Sequence, residues 1–553
     1  MLRLKKVSFS YEYDGETFCI DTSSTVISDS LKLHIDTLGD VFTANIISQN
    51  EIKILALSAV FEHDYSDQDR IFLNGYQSWT DSIEYPLNGK MHGLDIIPAK
   101  VVEKYSFNRY GDYDFTDYGG EGQLHGWSYG YVRTRKYFCF LGSLNENAAF
   151  TKISTDTNKN TITLTRDCSG IVFSGDYVGF RMLITDGREN EVFDRYFQLL
   201  GTKIRDDAKP VYGYTSWYRH YQKINENIIQ NDLSGMLSQR FRPDVFQIDD
   251  GYQSAVGDWL AVDENKFPNG MKSIAESISS NGIIPGIWLA PFACEENSYV
   301  FRNFKEWFLT DEDGNYIKGG SNWGGFYILD IYNEDVRNYL RNVFDTIVNN
   351  WGFRLLKLDF LYTECIVPRL NKTRGQIMAE AMDFLRECAG DAFILGCGVP
   401  LASAFGKVDY CRIGCDVSLD WNDKSYMRLM HRERISTRNS ILNSVFRRQL
   451  NGRAFYNDPD VFILRNNDTS LTPKQKKCLS EVNAMTGGVL FCSDDISEYS
   501  KEQLIQLSGI MKLRNANITF VELEEDKLKV TFKLGEKEYH AVYGNFKKNK
   551  KSP

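Results

Sequence analysis

Histidine is scarce in this chain. The seven present, His34, His63, His92, His125, His220, His431 and His540, include no two at HExxH or similar spacing, which argues against a histidine-built zinc site. The 11 cysteines are an odd number with no CxxC pair, and Cys397, Cys411 and Cys415 sit in or beside apolar runs, the usual setting of reduced thiols. An excess of basic charge is also missing. Lys plus Arg is 64 against 74 Asp plus Glu, a net charge of −10, which argues against binding to nucleic acid or to anionic lipid. The longest nearly apolar run, 282–293, is too short to span a bilayer, and the opening residues hold three basic side chains but no apolar h-region. These absences together fit a cytoplasmic, disulfide-free protein. There is no GxxxxGK[ST] phosphate loop and no GxSxG nucleophile elbow. Gly120-Glu-Gly122 is not followed by a helical pattern, so it is no dinucleotide fingerprint.

What the 553 residues hold in abundance is aromatic side chains, 14% of the total, from 35 Phe, 31 Tyr and 9 Trp. The length suggests several domains. Residues 1–200 contain segments such as 160–165 and 178–184, rich in β-branched and aromatic residues and separated by Gly, Asn and Asp, the pattern of a β-sandwich. A helix-like stretch at 191–200 and a polar, Pro-ended linker, 202–210, follow.

From Val211 short apolar runs alternate with helical patterns. Candidate strands lie at 211–217, 245–251, 284–292, 355–361, 393–400, 410–418, 454–464 and 488–495. Residues 333–351 place eight apolar side chains on one helical face, and Ser500 with Gln503 forms a capping-box pattern. The fifth and sixth strands are too close for a clear helix between them. Eight strand–helix units over 201–513 predict a (β/α)8 TIM barrel. Strand-like alternation returns over 514–553, a small C-terminal antiparallel β domain that ends in the basic tail 547–553. The expected fold is thus multidomain α/β with a central barrel between two β domains.

Barrel chemistry sits at the carboxyl ends of the strands. Here those ends carry Asp249-Asp250, Asp359, Asp416, Asp458, Asp460 and Asp494-Asp495, an acidic mouth. Lys357 and Asp359 are two residues apart and so share one face of their strand, while Leu356, Leu358 and Phe360 face the helices. Such a pair fits a structural ion pair in the barrel interior. It equally fits a carboxylate kept ionised to attack a sugar's anomeric carbon. Asp416 follows an apolar strand and Gly414, where burial would raise its pKa and make it a general acid; the alternative is a cap on the next segment. Carboxylates on the fourth and sixth strands can flank one scissile bond, as glycoside hydrolysis requires. Trp79, Trp217 and Trp288 can stack on a sugar ring or pack the core, and Asp249-Asp250 can hold hydroxyls or make a strand-end turn.

The motifs TSWY at 215–218, QIDDGYQ at 247–253, GIWLAPF at 286–292, LLKLDF at 355–360, GCGVP at 396–400, RIGCD at 412–416 and AFYNDPDV at 454–461 resemble, in order and placement, the catalytic barrel of glycoside hydrolase family 36, the bacterial α-galactosidases. NGYQSWT at 74–80 resembles a segment that reaches toward the active site from the N-terminal domain. The resemblance implies retaining hydrolysis of terminal α-D-galactosides or oligosaccharides, with Asp359 as nucleophile and Asp416 as acid/base. It implies Asp249 and Asp250 at the O4 and O6 side of galactose, Lys357, Cys397 and Arg412 at other hydroxyls, Trp217, Tyr218 and Trp288 shaping the pocket, and Trp79 closing it. No metal or organic cofactor is implied. These enzymes are often oligomers, so a homo-oligomer is compatible. One departure is Cys415, where many relatives have Pro. An α-N-acetylgalactosaminidase on the same scaffold is the nearest alternative, since Gly396, Gly398 and Val399 leave space beside Cys397. A non-catalytic sugar-binding protein would not need both carboxylates and the lysine. A phosphate-binding barrel enzyme conflicts with the paired Asp at the end of the eighth strand.

Overall fold

The computed structural model describes residues 2–95, 97–238, 240–424 and 432–546; His431 and the basic end, 547–553, lie outside them. The N-terminal part is a single hydrogen-bonded sheet of 13 strands whose spine is the 22-residue strand Val41–Glu62. Along this spine the buried side chains change parity. Phe42, Ala44, Ile46, Ile52 and Ile54 are followed by Leu57, Ala59 and Phe61. The switch falls where the pairing steps from Ser10–Ala56 to Tyr11–Ile54, leaving Leu55 as the extra residue of a bulge. A slip of one residue would turn the second half outward, so the bulge keeps both halves on one core. Phe9, Leu33, Leu164 and Phe180 from the folded-over layers complete that core. The helix Glu189–Leu200 leads out of the sheet and buries Val192, Phe193, Tyr196 and Phe197.

Eight parallel strands follow, which we label β1 to β8. They are Val211–Thr215, Val245–Ile248, Ile284–Leu289, Leu355–Leu358, Phe393–Gly396, Tyr410–Arg412, Tyr456–Asp458 and Val489–Cys492. They pair in this order, and β1 also pairs with β8. The seventh strand, expected as one run, is broken. Tyr456–Asp458 pairs with β6, and the separate Val461–Phe462 pairs with β8. Pro459 removes a donor from the ladder, and Asp460 sits at φ 75°, a left-handed turn in the middle of the strand. Taken across this break, the barrel closes. The link between β5 and β6 holds only the single turn Leu401–Ala404. The expected helix at 333–351 is present, with its last six residues wound as a π-turn before Gly352.

After β3 the chain makes a detour over the barrel mouth. Ala293–Glu295, Lys318–Gly320 and Phe326–Ile328 form a small antiparallel sheet that carries 321–323 toward the centre. At the far end, Ser500 and Gln503 do form a capping box, and three antiparallel strands, Asn517–Glu524, Lys527–Leu534 and Lys537–Tyr543, end the described chain. No helix among the described residues is long and apolar enough to cross a membrane.

Candidate active site

The carboxyl ends of β2, β4 and β6 open into a cavity of about 610 Å³ lined by Asp249, Asp250, Lys357, Asp359 and Asp416. Lys357 reaches across β3 and donates to Asp249 Oδ2 at 2.8 Å. Its hydrogen-bonded partner is therefore not Asp359, as the shared strand face had suggested. A lysine two residues upstream can as easily span the barrel interior as turn along its own strand. Burial opposes ionisation of Asp249, but the ammonium outweighs it and holds this carboxyl below its usual range. Gln247 Nε2 donates to the same oxygen at 2.8 Å. Asp250 has no such cation. Burial raises its pKa, while Gln253, Gln222 and Trp323 donate to it at 2.6, 2.8 and 3.2 Å.

Asp359 accepts from Trp288 Nε1 at 3.1 Å and from the Phe360 amide at 2.9 Å. Phe360 has φ 56°, a left-handed conformation that costs a bulky residue energy and is found where structure enforces it. The turn ends β4 at once, so the strand presents Asp359 as its last group. Asp416 faces the same cavity with its side chain 35% exposed. Partial burial raises its pKa, and Arg412, donating to Oδ1 at 2.8 Å, opposes that rise. The Arg412 guanidinium also reaches Asp458 at 3.1 Å and Asp460 at 3.0 Å. Asp460, placed by the break in the seventh strand, accepts in addition from Tyr218 and from the Val417 amide. Burial pushes its pKa to about 7 despite the arginine.

The walls are aromatic. Trp288, Trp323, Phe360 and Trp79 touch in sequence, at ring separations of 6.1, 5.0 and 5.0 Å. Trp79 arrives from the N-terminal sheet, on a loop held to the barrel by Arg447. That buried guanidinium donates to Asn74 Oδ1 and to the carbonyls of Gly75, Gln77, Ser78 and Ile413. With no carboxylate among these partners, burial lowers its pKa to about 10. Trp217 lines the opposite side and packs edge-on against Tyr221.

The structure thus brings Trp79, Trp217, Asp249, Asp250, Trp288, Lys357, Asp359 and Asp416 to one cavity. Tyr218, Cys397 and Arg412 stand one layer behind it. Tyr218 and Arg412 bind Asp460, and Cys397 Sγ accepts from Trp79 Nε1 at 3.3 Å. Asp494 and Asp495, which sequence placed at the acidic mouth, serve other partners: Arg465 with the 464–465 amides, and Ser497 with Arg219. Cys415 lines the cavity with its thiol turned toward the Ser436 carbonyl. Sequence reasoning missed Trp323, Phe360, Tyr110 and Glu433 in the lining. Trp323 had a signal, a lone tryptophan between the paired glycines 319–320 and 324–325. The others had none.

Gly398, at φ 58°, sits under Trp79, and a Cβ there would lie 2.8 Å from the indole. We expect Gly398→Ala to displace Trp79, raising KM for the pocket's ligand and costing about 1–3 kcal/mol in stability. Unchanged KM and an unchanged thermal midpoint would refute this packing.

Comparison with known proteins places this geometry. The melibiase family model matches residues 189–384. The solved α-galactosidase TtGalA of Thermus thermophilus, in complex with p-nitrophenyl α-D-galactopyranoside, superposes with a TM-score of 0.72 at 25% identity, covering 93% of this chain and 98% of that one. The chain is thus similar to the melibiases, and its fold is that of solved α-galactosidases of glycoside hydrolase family 36. Among curated melibiase-like proteins, alpha-galactosidase AgaA of Geobacillus stearothermophilus is 24% identical over 190 residues, 32% of this chain and 25% of that protein. The A type blood alpha-D-galactosamine galactosaminidase of Flavonifractor plautii is 25% identical over 158 residues, 27% of this chain and 14% of that protein. The match to these curated relatives therefore spans a quarter of their length or less.

Proposed function

We propose that this protein is a retaining exo-α-galactosidase. The observation that carries the reading is two carboxyls of different surroundings in one aromatic-walled cavity, Asp359 on N–H donors and Asp416 with a raised pKa. Surroundings as different as these suit the two acids to separate roles. Asp416 gives its proton to the glycosidic oxygen as a carboxylate oxygen of Asp359 attacks the anomeric carbon; the carbon–oxygen bond to the aglycone breaks and a β-galactosyl ester forms. Asp416, now ionised, takes a proton from water, whose oxygen displaces Asp359 and releases α-galactose. Asp249, made anionic by Lys357, and Asp250 hold hydroxyls on the O4 and O6 side. Trp79, Trp217, Trp288 and Trp323 cover the apolar ring faces. Cys397, Arg412 and Tyr218 support this wall from behind. The scheme uses no metal or organic cofactor.

A cytoplasmic setting is supported by eleven free thiols, most of them buried. A homo-oligomer agrees with the resemblance to family 36 enzymes. The alternative substrate is the 2-acetamido sugar, and the relative named for galactosamine, the 2-amino sugar, points to substitution at the same carbon.

Initial rates on aryl α-galactoside and aryl α-N-acetylgalactosaminide test the reading. The α-galactoside should be the preferred substrate, with kcat/KM falling at alkaline pH as Asp416 loses its proton. Because burial raises that pKa, the alkaline limb should lie above the ordinary carboxylate range. Hydrolysis of the acetamido sugar alone would replace the first reading by the second.

A further inference from the structure

Behind one wall of the sugar cavity lies a second cavity of about 290 Å³. The segment 432–435 separates the two, and its side chains alternate between them. Glu433 and Ile435 line the sugar cavity, while Arg432 and Arg434 line the other. Arg438 and Lys90 join them there, so four cationic side chains face one carboxylate, Asp81. In a chain of net charge −10 this is a local reversal of sign.

Two of these cations are poorly paired. Arg432 is served by the Asp81 carbonyl at 3.1 Å, the His125 ring and the nearby Asp112, but Arg434 meets its carboxylate, Asp423, only at 3.7 Å, too long for a charge-assisted hydrogen bond. The Nε of Arg432 and that of Arg434 are buried without a hydrogen-bond partner among the described residues. Arg438 is 94% buried by its 6% relative exposure, yet among the described residues its guanidinium donates only to neutral oxygens, Phe546 O at 2.9 Å and Asn439 Oδ1 at 3.0 Å. Burial accordingly holds the Arg438 pKa below its ordinary value, with Asp81 only partly offsetting it. Guanidinium groups that are desolvated but unmatched form a site waiting for a bidentate oxyanion.

We propose that this cavity binds a small oxyanion of the phosphate or sulfate class through Arg434, Arg438 and Lys90, and that the bound anion fixes the 432–435 segment against the sugar cavity. The anion supplies the counter-charge that the arginines lack. Its second effect follows from the alternation. Holding Arg432 and Arg434 also holds Glu433, whose carboxyl accepts from Thr80 at 2.7 Å, the residue after Trp79.

The test is calorimetric titration of the whole protein with inorganic phosphate and, separately, sulfate, against chloride at matched ionic strength. Saturable binding is expected, weakened about tenfold or more in Arg434→Gln. Lys90→Gln, at an exposed position where folding is spared, should weaken binding several-fold. The arm that binds more tightly identifies the oxyanion. No saturable heat with either anion, or unchanged affinity in both variants, would overturn the site. The coupling to the sugar cavity rests on the galactosidase reading and has its own readout. Phosphate should shift KM for an aryl α-galactoside in the wild type, and the shift in Lys90→Gln should need several-fold more phosphate; saturable binding with an unmoved KM would overturn the coupling alone.

Discussion

Asp359→Gly should abolish turnover of an aryl α-galactoside, lowering kcat by about four orders of magnitude or more, and added azide should restore cleavage. The size follows from the role. In the proposed mechanism Asp359 is the group whose oxygen forms the covalent bond, so its loss would remove the route rather than one contact along it. Azide is small and anionic, and the glycine leaves a space of its size between Trp288 Nε1 and the Phe360 amide, the two donors that now serve the carboxylate. Attack from that side inverts the anomeric carbon, so the product should be the β-galactosyl azide. Asp416 remains in place to protonate the leaving group. An α-azide from the same variant would assign the nucleophile to Asp416 instead, and an active Asp359→Gly enzyme without azide would refute the assignment altogether.

Replacing Arg412 by methionine should be the most damaging change away from the reacting atoms. Its guanidinium serves Asp416, Asp458 and Asp460, the last two buried. Removing one partner of a buried pair typically costs about 3–5 kcal/mol, because the remaining charge is left uncompensated. Asp460 already stands near 7, and losing the cation would move it higher. A carboxyl with a raised folded-state pKa binds its proton more tightly when folded, so its contribution to stability is present at low pH and lost as pH rises through that pKa. The deficit of Arg412→Met should thus be larger on the alkaline side of 7 than on the acid side, read as the thermal midpoint across pH. Arg412 also restrains the rise in the Asp416 pKa. The alkaline limb of kcat/KM should therefore move up in the variant, while kcat falls about 100-fold or more from misplacement of the acid. A deficit independent of pH, or an unmoved limb, would separate Arg412 from Asp416.

What sequence conveyed and what it did not follow from the reach of each signal. Strand periodicity and the rule of carboxyl-end chemistry were enough to place Asp249, Asp250, Lys357, Asp359 and Asp416 at one mouth, since each sits on a strand whose end is marked by its own apolar run. They did not say which cation serves which acid. Lys357 pairs with Asp249 across the barrel and Arg412 gathers three carboxylates, and these choices depend on side-chain lengths and closure, not on spacing. The break at Pro459-Asp460 was hidden because apolar residues continue on both sides of it. Phe360 was assigned to the helix layer by alternation, yet its left-handed φ ends the strand and turns the ring into the cavity wall. Tyr110 and Glu433 arrive from distant parts of the chain, and no local pattern marks them.

The reading of an acidic mouth also changes with the structure. Several of those acids are matched by a cation, Asp249 by Lys357, Asp416, Asp458 and Asp460 by Arg412, and Asp494 by Arg465. Asp359 and Asp250 are instead held by N–H donors of tryptophan, glutamine and backbone. The proposed mechanism runs its proton transfers through such a carboxyl, Asp416.

The most direct measurement of the central claim is the anomeric configuration of the first-formed sugar, followed by proton NMR as an aryl α-galactoside is cleaved. Two successive displacements at one carbon, first by Asp359 and then by water, predict that α-galactose forms first and that the β anomer grows in only at the rate of mutarotation. β-Galactose as the first product would contradict the covalent intermediate and the role given to Asp359.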